Sequence, residues 1–183
     1  MKHKESDLQI RCVNWFRYQY PEFARLMEHP KNEGNGNRRQ GAIAKAEGVT
    51  KGVADLILHV PSFDTVEAEV PVRHYEIIPG TGMCSFHHED KMRVVGYNSL
   101  AIEMKTPTGT QSAEQKEWQR LFEAAGGLYI IVRSYDDFVS DVTKYMLNVP
   151  VYIKAKVKEA AETIQHEQDE RVKKQLKSFV KKS

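Results

Sequence analysis

The sequence is poor in cysteine and in long apolar runs, and each shortage excludes a class of protein. Its two cysteines, Cys12 and Cys84, are too few for a disulfide framework and fit a reducing compartment. No apolar run reaches the roughly 18 residues that a transmembrane helix needs. The first residues are polar and lack the apolar stretch of a signal peptide. We therefore expect a cytoplasmic protein that does not insert into a membrane.

The sequence also has a small net charge and no loop typical of nucleotide-phosphate binding. The chain has no glycine-rich phosphate loop of the P-loop type, which argues against ATP as a ligand. The formal net charge is only +2, so bulk charge does not indicate a nucleic-acid-binding protein. The basic residues near the end are, however, uninterrupted by acids: Arg171, Lys173, Lys174, Lys177, Lys181 and Lys182. This segment fits phosphate contact and, equally well, a solvated helix end whose cations favour the helix dipole.

What is present is an alternation of helical and strand patterns. Apolar spacing predicts a helix over residues 5–20, and uninterrupted apolar runs predict buried strands. The predicted strands cover 24–29, 53–60, 98–105 and 128–133, and the predicted helices cover 5–20, 38–47, 112–125, a segment after Ser134, and a charged stretch after Pro150. Such an order predicts an α/β fold in which helices flank a mixed central sheet.

Residues 61–97 differ from the rest in having three prolines, three glycines and three histidines. We interpret this region as an inserted loop or hairpin arm. Cys84, His87 and His88, with His74 nearby, invite a zinc interpretation. A second ligand pair at a convincing separation is missing, and structural zinc needs four ligands, so a polar arm is the favoured interpretation.

The residues that can carry chemistry are Asp55 in one buried strand and Glu103-x-Lys105 in the next. Because strand side chains alternate, Glu103 and Lys105 share a face. Charges in apolar strands are costly unless they are paired or bound to a cation. If Asp55 lies opposite Glu103, the two carboxylates need a cation, and oxygen ligands suit Mg²⁺ or Mn²⁺. Lys105 would then orient water or stabilise charge on a phosphate. The alternative is a structural ion pair.

The segments around these residues resemble the VRR-NUC family of the PD-(D/E)xK nuclease superfamily. They are residues 52–56, 100–105, 109–118 and 126–132, with 5–9 as the opening helix. The resemblance covers most of 5–148, apart from 61–97, which is atypical of the family. Ala54 stands where the superfamily name expects proline. Proline there shapes the strand entry and takes no part in the chemistry, so the difference casts little doubt.

The resemblance implies a restriction-endonuclease-like αβββαβ core in a nuclease domain over 1–150. The charged stretch after Pro150 predicts a separate C-terminal helix over 151–183. The resemblance also implies a metal-dependent DNA endonuclease in which an activated water attacks phosphorus. The metal ligands would be Asp55, Glu103 and the Met104 backbone carbonyl, with Glu5 completing the shell. Lys105 would be the catalytic lysine, and Gln115 would touch the phosphate or Lys105.

Two of these assignments have structural alternatives. Glu5 has a rival in Asp7, two residues on, and Ser6-x-x-Gln9 fits a capping box that would start the first helix. Ser112-x-x-Gln115 also fits a capping box, which would use Gln115 only to close a helix start. The candidate phosphate contacts are Arg38, Arg39, Lys51 and Lys116, with Lys45 as a further member. For Arg38 and Arg39 the alternative is a solvated helix start, although cations are unfavourable at a helix N-terminus.

The expected partner is DNA, in the form of junctions, flaps or ends. Two-fold symmetric junctions favour a homodimer, and the C-terminal helix would serve as the dimer contact or as a DNA arm. Its apolar stripe would consist of Ile153, Val157, Ile164, Val172, Leu176 and Phe179. Two alternatives remain: an inactive nucleic-acid-binding or regulatory module, and an enzyme with an Asp/Glu metal site that acts on another substrate, which the lack of a histidine ligand disfavours.

Overall fold

The computed structural model describes residues 3–30, 38–70, 76–77, 84–85 and 89–180. The helices are α1 (His3–Gln19), a 3₁₀ helix (Pro21–Leu26), α2 (Arg38–Ala46), α3 (Ala113–Ala124), α4 (Tyr135–Leu147) and α5 (Val151–Val180). The strands are β1 (Met27–Glu28), β2 (Leu56–Leu58), β3 (Ser62–Val70), β4 (Glu76–Ile77), β5 (Cys84–Ser85), β6 (Glu89–Tyr97), β7 (Leu100–Met104) and β8 (Leu128–Val132).

The centre of the fold is a four-stranded mixed sheet in the order β1-β2-β7-β8. The first three strands are antiparallel neighbours, whereas β7 and β8 are parallel. A parallel pair needs a crossover connection, and α3 supplies it between β7 and β8. With α2 and the β3–β6 region set aside, the element order is αβββαβ. The α/β fold predicted from the sequence is therefore confirmed.

Helices cover both faces of this sheet because successive strand side chains point to opposite sides. Leu56, Ile102 and Met104 pack on one face in a buried cluster that includes Cys12 and Phe16 of α1. The opposite face is smaller. It consists of Ala54, Ala101 and Tyr129, against which Trp118 and Phe122 of α3 pack. The sheet is thus a middle layer between α1 and α4 on one side and α3 on the other.

Residues 61–97, interpreted as a loop or hairpin arm, contain a long antiparallel pair. β3 and β6 pair continuously from Ser62↔Tyr97 to Val70↔Glu89, and β4 pairs with β5. The base of the pair is joined to α4, because the Ser62 hydroxyl donates to the Tyr145 carbonyl at 2.9 Å and the Tyr145 hydroxyl donates to the Val60 carbonyl at 2.6 Å. His74, His87, His88 and the Cys84 side chain lie outside the described residues, so the preference for a polar arm over a zinc site stays a prediction.

The prediction of a strand over residues 24–29 is largely wrong. Residues 21–26 form a 3₁₀ helix, and only Met27 and Glu28 are strand. Pro21 lies at the start of this helix, where its fixed φ favours a helical turn, and Phe23 is buried in the core. The strand predicted over 53–60 is also shorter than expected, at Leu56–Leu58, so Asp55 immediately precedes the strand.

Among the side chains of the long helix α5 that the structure describes, those that pack against the core lie near its beginning. Ile153 and Val157 pack against the core, whereas Ile164, Val172 and Leu176 are exposed. Its 30 residues correspond to a length of about 45 Å. The apolar stripe predicted from the sequence therefore divides into a packed part and an exposed part; the Phe179 side chain lies outside the described residues. Within the described part of the chain, no helix is long and apolar enough to cross a membrane.

Candidate active site

Asp55 and Glu103 meet where β2 begins and β7 ends. The register pairs Leu56 with Ile102, which sets the preceding residue, Asp55, across from Glu103. The Asp55 side-chain oxygen Oδ2 accepts a hydrogen bond of 2.8 Å from the Met104 backbone N–H. This bond fixes the Asp55 carboxylate against the last residue of β7. The closeness of the two acids expected from the sequence is present.

Glu103 is 0% exposed, and hydrogen-bond donors surround its carboxylate. Oε1 accepts from the Lys105 ammonium and from the Gln115 side-chain amide, each at 2.5 Å. Oε2 accepts from the Tyr129 hydroxyl at 3.0 Å. A buried carboxylate is tolerated when it is paired and hydrogen-bonded in this way. The network therefore holds the Glu103 carboxylate in one orientation, and its donors favour the ionised form against the effect of burial.

Lys105 follows β7 directly, and its side chain is only 12% exposed. Its backbone N–H donates to the Val132 carbonyl at 2.9 Å, which extends the pairing with β8 by one step. Its ammonium forms an ion pair with Glu103. This ion pair has the geometry of the structural alternative that the sequence left open for Lys105. The lysine charge also acts on Asp55, so Lys105 lies beside both acids.

Glu5 reaches the same end of the sheet from α1. Its Oε1 accepts a hydrogen bond of 3.0 Å from the Thr106 backbone N–H, in the loop that follows Lys105. The helix begins at His3, so Ser6 lies inside the helix and is not its cap. The capping alternative for this segment is therefore wrong, because the helix starts earlier than that alternative requires.

Gln115 has the capping role that the sequence left open, together with a contact to Glu103 that the sequence did not predict. Its backbone N–H donates to the Ser112 hydroxyl at 3.2 Å and its side-chain oxygen accepts from the Ser112 N–H at 2.9 Å, which completes a capping box. The amide nitrogen of the same side chain donates to Glu103. The expected contact with Lys105 is replaced by this contact with Glu103. One side-chain amide can make both hydrogen bonds because its oxygen accepts from Ser112 while its nitrogen donates to Glu103.

Gly52 brings the chain before Asp55 against the start of α3. Its φ is +77°, and a Cβ at this position would lie 2.4 Å from the Glu114 backbone carbonyl carbon and 2.7 Å from the Gln115 backbone nitrogen. Only glycine permits both the left-handed conformation and this close approach. Gly52 therefore sets the distance between Asp55 and Gln115.

Burial and a neighbouring negative charge act on the pKa of each acid. Burial raises the pKa of Asp55, and the nearby Glu5 charge raises it further, while the Met104 N–H and the Lys105 charge act in the opposite direction. Burial also raises the pKa of Glu103; the Lys105 hydrogen bond opposes this effect and the Asp55 charge adds to it. The two carboxylates therefore interact electrostatically, and added positive charge between them would favour the ionised form of both.

Three side chains at the site were missed by the sequence analysis. Tyr129 lies in an apolar strand, where its pattern indicates only core. Arg133 donates to the Thr106, Pro107 and Gly109 carbonyls at 2.7, 3.4 and 2.8 Å, and so fixes the loop after Lys105. The His29 ring nitrogen Nδ1 lies 2.6 Å from the Asp55 carbonyl oxygen. Their partners are distant in the chain, and no local sequence pattern predicts such pairs.

The candidate phosphate contacts fall into two groups, one near the start of α3 and one on α2. Lys51 and Lys116 are exposed near the start of α3, and the Lys51 charge lowers the pKa of the neighbouring Glu114, after larger effects from hydrogen bonds. Lys45 is exposed on α2. Arg38 and Arg39 begin α2, and their side chains lie outside the described residues. The structure thus sets two of the predicted lysines close to Gln115.

The predicted metal ligands form a pair of carboxylates with a third acid nearby. Asp55 and Glu103 adjoin, while Glu5 is held by the Thr106 N–H. Among the described residues, no three His, Cys, Asp or Glu side chains are gathered as a metal-binding group. Met104, whose carbonyl the resemblance implies as a ligand, is buried and its N–H is bound to Asp55.

Comparisons with other proteins support the fold. The sequence matches no model of a known protein family, and it matches no characterised protein. A search of solved structures finds similarity to a VRR_NUC domain protein, with a TM-score of 0.52 and 18% sequence identity. The match covers 79% of this chain and 89% of the other. In its arrangement of helices and strands, the chain has the fold of a VRR_NUC domain protein.

Proposed function

We propose that this protein is a metal-dependent nuclease that hydrolyses phosphodiester bonds in DNA. The observation that carries the proposal is the convergence of Asp55, Glu103 and Lys105 at one end of the sheet, in a fold shared with a VRR_NUC domain protein. Two adjoining acids with an amine beside them are the groups that phosphoryl chemistry with a hard cation uses.

The donor set fits Mg²⁺ or Mn²⁺ in its chemistry. Asp55 and Glu103 are oxygen ligands of the kind these ions prefer, and each carboxylate has a raised pKa that a cation would offset. Glu5 and the Met104 carbonyl are candidates for further oxygen ligands. When bound, the ion would supply positive charge against the phosphate and activate water for attack.

The protein's own residues would orient the two acids and supply a positive charge. Gln115 and Tyr129 hold the two oxygens of Glu103, and the Met104 N–H holds Asp55. Such supporting hydrogen bonds fix the orientation of metal ligands. The Lys105 ammonium, now paired with Glu103, would turn to a phosphate oxygen or to the attacking water when substrate arrives.

We propose branched DNA as the substrate, in the form of junctions, flaps or ends. Lys51 and Lys116 near Gln115 would contact the phosphates that flank the cut, with Arg38, Arg39 and Lys45 on α2 extending the path. Exposed apolar residues on α5 support a homodimer built through this helix, and its basic end supports a DNA arm. A homodimer matches the two-fold symmetry of a four-way junction.

The test is a cleavage panel on single-stranded, duplex, flap and four-way DNA with Mg²⁺ or Mn²⁺. Asp55→Asn and Glu103→Gln should each lower the rate about 100-fold or more, with DNA binding retained, and EDTA should abolish cleavage. Glu117→Gln, an exposed change on α3, is the matched control and should cleave normally. Full activity of purified Asp55→Asn would contradict the assignment.

A second candidate is a DNA-binding or regulatory module without nuclease activity. The ion pair between Glu103 and Lys105, with donors on both Glu103 oxygens, favours it, because this arrangement is self-sufficient without a cation. If this function is the correct one, the panel shows DNA binding without cleavage. Glu103→Gln then changes stability and leaves DNA affinity unaltered.

A further inference from the structure

A cleft of about 400 Å³ lies between α1 and the strands β1 and β2, beside the candidate active site. Its volume falls in the range of ~300–1,000 Å³ that is usual for small-molecule sites. The α1 side chains that matter for its chemistry are Gln9, Ile10, Asn14 and Arg17, and the opposite wall contains Met27 and His29. None of these residues has been given a role in the proposed reaction.

His29 connects the cleft to the reaction centre. Its ring nitrogen Nδ1 lies 2.6 Å from the Asp55 carbonyl oxygen. Since a carbonyl only accepts, Nδ1 carries the hydrogen of this bond. Gln9 lies beside the same ring nitrogen, at 3.1 Å. A molecule in the cleft that touches His29 is therefore one side chain away from Asp55.

The walls of the cleft offer an apolar surface, amide groups and a guanidinium group, which suit the base face, the base edge and the phosphate of a nucleotide. Ile10, which is 58% exposed, and Met27 offer an apolar surface to the face of a base. The amides of Gln9 and Asn14 offer donors and acceptors to its edge. The Arg17 guanidinium matches a phosphate in charge and shape. Among the described residues that line the cleft there is no carboxylate, so an anionic ligand meets no repulsion from these walls.

We propose that this cleft binds one nucleotide of the DNA strand, next to the phosphodiester bond that is cut. The base lies against Ile10 and Met27, and Arg17 contacts the adjoining phosphate. The proposal rests on the proposed nuclease function for the identity of the strand. Its ligand chemistry comes from the walls of the cleft alone. Occupation of the cleft sets the distance of the next phosphate from Asp55.

The experiment uses the full chain labelled with ¹⁵N and titrated with thymidine 3′,5′-bisphosphate, followed by amide chemical shifts. Shift changes should concentrate in residues 9–17 and 27–29. Arg17→Gln should weaken binding about tenfold, because a charge-assisted hydrogen bond is lost, and Ile10→Ser should weaken it by removing apolar contact. Arg25→Gln, an exposed change of the same kind outside the cleft, should leave the affinity unchanged.

Inorganic phosphate and thymidine form the other arms of the titration. Shifts of equal size and affinity with phosphate alone would reduce the cleft to an anion site and overturn the proposal. Absence of shifts in residues 9–17 would overturn it as well. Cleavage is measured separately. Normal cleavage with no nucleotide at the cleft contradicts only this proposal, whereas nucleotide binding in a chain that cleaves nothing contradicts the nuclease and supports the site.

Discussion

At the scale of single residues, the buried carboxylate of Glu103 depends on side chains from three other positions. Lys105 and Gln115 bond one oxygen, and Tyr129 bonds the other. Lys105 and Gln115 have partial exposure, whereas Tyr129 and Glu103 are buried. Solvent replaces a lost partner only where it can enter, so the tyrosine bond is the least replaceable of the three.

Tyr129→Phe should destabilise the fold without changing its shape. Removal of the hydroxyl leaves the Glu103 oxygen Oε2 without its donor, which costs about 1–3 kcal/mol for a buried acceptor. The measurement is the urea midpoint of the variant, with cleavage measured in parallel. Tyr18→Phe, at a side chain that is 86% exposed, removes the same atom from the surface. Equal midpoints for the two variants would show that the Tyr129 contact contributes nothing.

Cys12 gives a stability effect with a defined pH window. The thiol is fully buried, and burial raises its pKa from an ordinary value of 9.0 to about 11. The stabilisation is complete below the ordinary pKa of 9.0. It is lost as pH rises towards 11, because the unfolded chain releases the thiol proton first and is thereby favoured.

The prediction compares two variants, Cys84→Ser alone and Cys84→Ser combined with Cys12→Ala. From pH 8 to pH 10.5, the free energy of unfolding should fall by about 2 kcal/mol more in the variant that keeps Cys12. Urea titrations at both pH values measure the difference. Each titration of another group is common to the two chains and cancels. A difference that is constant across this window would contradict a raised thiol pKa.

Some contacts of the site were predictable from the sequence because they obey strand or helix spacing. Glu103 and Lys105 are two residues apart in a strand, and Gln115 is three residues after its Ser112 partner, so local rules predict their geometry. The bond of Tyr129 to Glu103 spans 26 positions and the contact of His29 with Asp55 also spans 26. These contacts arise from strand order, which residue spacing alone does not specify.

At the scale of elements, the start of α3 is the part of the fold that positions Gln115 against Glu103. Ser112 and Gln115 cap this helix, and the same glutamine bonds Glu103. Gly52 packs its backbone against Glu114 and Gln115. Any displacement of the first turn of α3 therefore moves a donor away from Glu103.

Gly52→Ala should lower both stability and cleavage. The alanine needs the left-handed region at φ +77° and its Cβ would overlap the Glu114 backbone, so we expect a loss of about 2 kcal/mol or more. Gly48→Ala is the matched control, since Gly48 has φ +92° with nothing within 4 Å of its Cβ. It has the conformational strain without the overlap.

The comparison uses thermal unfolding and the cleavage rate of the two variants. The excess loss in Gly52→Ala reports the contact with α3. If the two variants lost equal stability and activity, α3 would be able to move away from the added Cβ without an energetic penalty. Gly52 would then not set the position of Gln115.

Most elements were predictable, and the errors have a common cause. Buried strands and amphipathic helices have strong periodic patterns, so α1, β7, α3, β8 and α4 were predicted to within a few residues. The segment at residues 21–28 was assigned to strand because it is apolar and short, but proline at its start favours a 3₁₀ turn. The segment before β2 was assigned to the strand because it continues the apolar run. Close packing of Gly52 against α3 delays the start of the strand to Leu56.

At the scale of the whole molecule, α5 is an arm attached at one end. Ile153 and Val157 join it to the core, while Val172 and Leu176 are 54% and 60% exposed. Ion pairs along the exposed part connect neighbouring turns, as between Lys173 and Glu170 at 2.9 Å. Such surface pairs add little stability, so the distal half of α5 contributes little to the stability of the domain.

Two truncations separate the parts of this helix. A chain ending at Gln165 should be monomeric by light scattering if α5 is the dimer contact. If α5 is not the dimer contact, this chain should keep the thermal midpoint of the full chain. A chain ending at Pro150 should lose stability as well, because Ile153 and Val157 are partly buried against the core. Full burial of such a side chain is worth about 1.5–3 kcal/mol, so each should contribute less than that. An unchanged oligomeric state and unchanged DNA affinity in the shorter chains would exclude α5 as a dimer contact and as a DNA arm.

The pairing of Ser62 with Tyr97 has a consequence for how this protein can diversify. The two strands leave the domain side by side, so their attachment points stay adjacent whatever follows between them. A short turn could replace the intervening segment with a small change in loop-closure entropy. The length of this segment can therefore change while the sheet that positions Asp55 and Glu103 stays as it is.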